Sequence, residues 1–95
     1  MDDQQLKRSL KSIGKACFVE HYEMFTDSSV SNDTAVDILM KQKKYSESGG
    51  RIRVNQSRRI IREGRRDDAL ERIAQSNRID SKWTGKAKSL LAANK

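Results

Sequence analysis

Gly49-Gly50-Arg51-Ile52-Arg53-Val54-Asn55-Gln56-Ser57-Arg58-Arg59-Ile60-Ile61-Arg62-Glu63-Gly64-Arg65-Arg66 is the stretch on which the reading of this chain turns. Seven of the ten arginines lie in it, and no arginine falls between Arg8 and Arg51. From Arg51 to Arg66 only Glu63 carries the opposite charge. Guanidinium is planar, permanently protonated and shaped to fork onto phosphate, so arginine at this density points to a polyanion.

Two structural readings compete for the segment. In the first, the glycine pair is a turn and Asn55 caps a helix that starts near Gln56. At about 100° per residue, Arg58, Arg59, Arg62, Arg65 and Arg66 then share one arc, with Ile60 and Ile61 opposite. Such a helix would lie in a major groove or along a backbone. Asn55 and Gln56 would meet adenine edges, and arginines would meet guanine edges or phosphates. The preceding helix would brace it, as in a helix-turn-helix. In the second reading, the alternation Arg51-Ile52-Arg53-Val54 makes a strand at 51–54 that pairs with its own copy as a β-ribbon. The order strand, helix, helix over 51–77 resembles a ribbon-helix-helix protein, over less than a third of the chain.

Outside this segment the pattern is helical. Leu6, Leu10, Ile13 and Cys17, continued by Phe18, Tyr22 and Phe25, predict an amphipathic helix over 3–25. Gly14 in its middle marks a close crossing or tolerated slack. Thr26 to Ser29 reads as a loop, and Ser31 or Asn32 caps a second helix buried along Val36, Leu39 and Met40. Lys41, Lys43 and Lys44 collect at its C-terminus, where the helix dipole favours cations. An unbroken helix through Gly64 would turn Ala69, Leu70 and Ile73 away from Ile60 and Ile61, so the chain should break there. A fourth helix then runs to about Asn77, and a fifth begins at Asp80 or Ser81 and frays by Lys95.

The fold expected is all-α, a single domain over 1–95 with four to five short helices. No proline, 35% hydrophobic and 35% charged residues fit small helices better than a turn-rich β fold. The thin apolar supply favours a homodimer. Charge is unevenly spread, with a net of −3 over 1–40, +8 over 41–66 and +2 over 67–95. The single Cys17 excludes an internal disulfide, and no membrane span or secretory leader is evident, so a cytoplasmic protein is expected.

Cys17 and His21 share a helix face, but two ligands do not complete a tetrahedral metal site, and no cofactor is expected. No nucleophile with a base and no phosphate-cradling glycine loop is present, so an enzyme is not expected. The aromatic residues do not interleave with the arginines, which disfavours single-strand stacking. The function expected is duplex-DNA binding, favoured over RNA, by a small transcriptional or mobile-element regulator. Its expected contacts are Arg51, Arg53, Asn55, Gln56, Arg58, Arg59, Arg62, Arg65 and Arg66. The rival is an adaptor, antitoxin or phage accessory factor whose basic face meets an acidic protein.

Overall fold

Leu6, Leu10 and Ile13 are drawn inward from the first helix of the computed structural model, which describes residues 1–43 and 45–94. Among these residues the chain is all-α, with seven helices and no strand. They are α1 Asp3–Ile13, α2 Lys15–Glu20, α3 Tyr22–Thr26, α4 Asn32–Lys43, α5 Glu47–Arg62, α6 Arg66–Ala74 and α7 Ser81–Ala93. Lys44 and Lys95, which entered the sequence reading, lie outside the described residues.

The single helix expected over 3–25 is three. Gly14 takes φ 88°, a conformation L side chains rarely adopt, and its N–H closes α1 onto the Leu10 carbonyl. His21 interrupts the chain again, between α2 and α3. The apolar line survives both breaks because each bend keeps it on the core side. Cys17, Phe18, Val19, Tyr22 and Phe25 are all buried, and the Phe18 ring lies 6.0 Å from Tyr22 and 6.3 Å from Phe25. These aromatic rings close the core within one chain.

The larger correction falls on the quoted stretch. Neither a turn at the glycine pair nor a strand at 51–54 forms, and Asn55 is no cap: all three lie inside α5. The cap is Ser46, whose Oγ accepts from the Gly49 N–H at 3.1 Å. Gly50 is present for proximity. A Cβ built on it would stand 3.4 Å from Val36 Cγ1, so α4 and α5 cross closely at this point. The alternation of 51–54 is equally compatible with a helix, where residues two apart point about 160° away from each other. Val54 is fully buried and Ile52 is half exposed.

The break at Gly64 holds, with φ 74°. Beyond it, Ala69, Leu70 and Ile73 return to the core, and α6 pairs with α7. Asp80 caps α7 by accepting from the Lys82 N–H. Helix α5 is the hub, packed on α1 along one side and α4 along the other. Ser9 of α1 donates to Gln56 of α5 at 2.9 Å. Both flanks of α5 are thus covered, and one stripe of it is left to solvent.

Candidate nucleic-acid interface

Each arginine of the basic segment has its own surroundings, and they differ. Arg53 turns back along α5, donates to the Gly49 carbonyl at 3.0 Å and stacks 3.9 Å over the Tyr45 ring. Arg58 reaches across the bundle. It donates to Asn32 Oδ1 at 2.6 Å and to the carbonyls of Met24 and Asp27, tying the end of α3 to the start of α4. Each of these carbonyls also accepts a backbone N–H, from Asp27 and Val30 respectively, and the guanidinium adds a second donor to both. Arg65 joins the N-terminal segment to α6 through the Met1 carbonyl, Asp3 and Asp68. Its hydrogen bond to Asp3, and then its charge, hold the Asp3 carboxyl below the usual range.

The remaining four face outward. Arg51 pairs with Asp33 at 3.2 Å and Glu47 at 3.5 Å, all three side chains exposed. Exposed pairs of this kind contribute about 0–1 kcal/mol and exchange readily for another anion. Arg59 gives only its Nε to Glu63, at 2.7 Å, and both of its Nη atoms remain without a partner among the described residues. Glu63 also accepts from the Met1 ammonium, and these two donors bring its carboxyl down to about 2. Arg62 and Arg66 are exposed and make no ion pair or hydrogen bond among the described residues.

The outward stripe of α5 is therefore Arg51, Ile52, Asn55, Arg59 and Arg62, within an arc of about 100°. Asn55 stands at its middle, exposed. Gln56 lies on the α1 flank, where it accepts from Ser9. There Arg8 of α1 and Arg59 face a groove of about 280 Å³ whose other lining side chains, Gln5, Ser9, Ser12 and Gln56, are uncharged. So Arg51, Asn55, Gln56, Arg59 and Arg62 come together on one surface. Arg53, Arg58 and Arg65 are turned to internal contacts, and Arg66 opens α6 beyond the Gly64 break. Arg8 was missed in the sequence because it and its neighbours Lys7, Lys11 and Lys15 fall in a block of net negative charge.

Cys17 and His21 belong to the core side. Burial pushes the Cys17 thiol up and the His21 imidazole down from their ordinary values. No group of three or more metal-ligating side chains occurs among the described residues, and none of their helices is long and apolar enough to cross a membrane. Comparison with known protein families, curated proteins and solved structures found no match.

Proposed function

We propose that this protein binds duplex DNA as a small regulator, with α4 and α5 acting as a helix-turn-helix and α5 entering the major groove. The observation that carries the reading is the outward stripe from Arg51 to Arg62, where arginines, an amide and one aliphatic side chain alternate along the 16-residue α5. That mixture matches what base edges offer: arginine forks onto guanine, asparagine pairs with adenine N6 and N7, and Ile52 suits the thymine methyl. A helix of this length spans about 24 Å. The B-DNA major groove, about 12 Å wide, admits such a helix, whereas the narrow A-form RNA groove does not.

The connection supports the same reading. Helix α4 is described to Lys43 and α5 begins at Glu47, so the two follow each other closely in the chain, as this motif requires. The close crossing at Gly50 lets α4 brace α5 from behind. A homodimer would set two copies of α5 about 34 Å apart, one turn of the duplex. Light scattering with and without DNA reads that stoichiometry.

Titration of a fluorescent random duplex against salt tests the proposal. Affinity should fall linearly with salt on a log–log plot, with a slope of about −0.9 for each phosphate neutralised. No retention of any duplex at about 50 mM salt would end the reading and hand the basic surface to an acidic protein partner.

A further inference from the structure

On the opposite flank of α1 from the α5 groove lies a second hollow, and every charged side chain that lines it is cationic, beside Leu10, Ile79 and Gln75. Lys7 and Lys11 of α1, Lys15 at the start of α2, Arg72 of α6 and Arg78 of the α6–α7 connection line two adjoining spaces of about 450 Å³ and 210 Å³. Both spaces share Lys7, Leu10 and Lys15. No carboxylate lines either one, and none of the five cations makes an ion pair among the described residues. The carboxylates nearest the rim, Asp3, Asp68 and Glu71, border a separate hollow with Arg65. Arg72 stands between the two and helps lower the Asp3 carboxyl.

Three lysines elsewhere are matched, while Arg62, Arg66, Lys82 and Lys88, more scattered, make no ion pair among the described residues. Lys41 meets Asp37, Lys43 meets Glu20 and Lys86 meets Glu23. Lys7, Lys11, Lys15 and Arg78 share the hollow with no carboxylate in its lining, and an anion laid among such like charges relieves their repulsion. Lys7 and Lys11 stand one turn apart on α1, about 6 Å along its axis, and Lys15, beyond the Gly14 bend, lines the same hollow. Lysine is a mobile point charge rather than a rigid fork, which suits phosphate and does not read bases.

We propose that this groove takes the sugar–phosphate backbone flanking the stretch of duplex that α5 enters, as a sequence-blind second contact. The inference rests on the α5 reading above. Helix α1, about 10 Å across, separates the two surfaces. Arg8 on its outer side links the α5 groove to Lys7 and Lys11, so the basic surface runs across the helix without interruption. The α5 stripe sets sequence preference, and the α1 rim adds affinity and salt dependence.

The test compares salt slopes on one random duplex. The variant K7A/K11A/R78A removes three exposed charges from the rim. The control K41A/K82A/K88A removes three exposed charges elsewhere. Loss of three phosphate contacts should flatten the slope by about 2.7, making the affinity drop between 50 and 200 mM salt about 40-fold smaller than in wild type. The control should keep the wild-type slope. Wild-type binding with an unchanged slope in the rim variant overturns this inference and leaves the α5 reading standing. Equal flattening in both variants also overturns it, since net charge alone would then be at issue. A wild type that binds no duplex removes the α5 reading itself. Polyglutamate that binds wild type but not the rim variant, with equal duplex slopes in both, would assign the groove to an acidic protein.

Discussion

Arg58 and Arg62 are four residues apart on α5, yet their guanidinium groups serve different ends. Arg58 donates to one amide oxygen and two main-chain carbonyls on neighbouring elements. Arg62 is exposed and donates to nothing among the described residues. Truncating Arg58 removes three hydrogen bonds between elements, each worth about 0.5–1.5 kcal/mol, whereas an exposed side chain without partners is worth within about 0.5 kcal/mol. Arg58→Ala is therefore expected to lower the urea midpoint clearly, and Arg62→Ala to leave it in place. Equal midpoints for the two would mean that the contacts of Arg58 do not hold α3 and α4 together. This division could not be read from sequence. The carbonyls that bind Arg58 belong to residues 34 and 31 positions earlier, and nothing local to Arg58 marks them.

At the scale of elements, the apolar periodicity was legible and the glycines were not. The inward lines of α1, α2, α3, α4 and α6 follow the spacing of Leu, Ile, Val and Phe set by helix geometry, except that Met40, expected on the buried line of α4, is exposed and Ala35 is buried there instead. Gly49-Gly50 carries the local signature of a turn, and only the partner helix explains it otherwise. Gly50 sits against Val36, and its missing Cβ lets α4 approach. A methyl group there would make ordinary contact at 3.4 Å, while alanine is about 1 kcal/mol more favourable than glycine within a helix. Gly50→Ala should thus stabilise the protein by up to about 1 kcal/mol, seen as a higher melting temperature. A lower melting temperature would show that α4 and α5 are already in hard contact. The strand at 51–54 failed for a related reason: four alternating residues fit a short strand and a two-sided helix equally well. Ser46, five residues upstream, decides between them by capping α5.

Across the whole molecule, the excess positive charge is sorted by partnership rather than by position in the chain. Three of the seven arginines between Arg51 and Arg66 are spent on internal contacts, and unpaired lysines of α1 supply a basic rim in a region whose net charge is −3. Summing charge by block concealed that rim, because acids of the same block pair elsewhere: Glu20 with Lys43, Glu23 with Lys86 and Asp33 with Arg51. On the proposed reading, the stripe on α5 and the rim beside α1 would make separable demands on a duplex, one for base preference and one for salt dependence. The arrangement stands or falls with where DNA touches the chain. The most direct measurement is the change in backbone amide NMR signals of the intact protein on adding a random duplex at low salt. Shifts concentrated at Arg51, Ile52, Asn55, Arg59 and Arg62 are expected, with Met24 and Val54 nearly unmoved. Signals on that stripe that stay still while the duplex binds elsewhere would contradict the account.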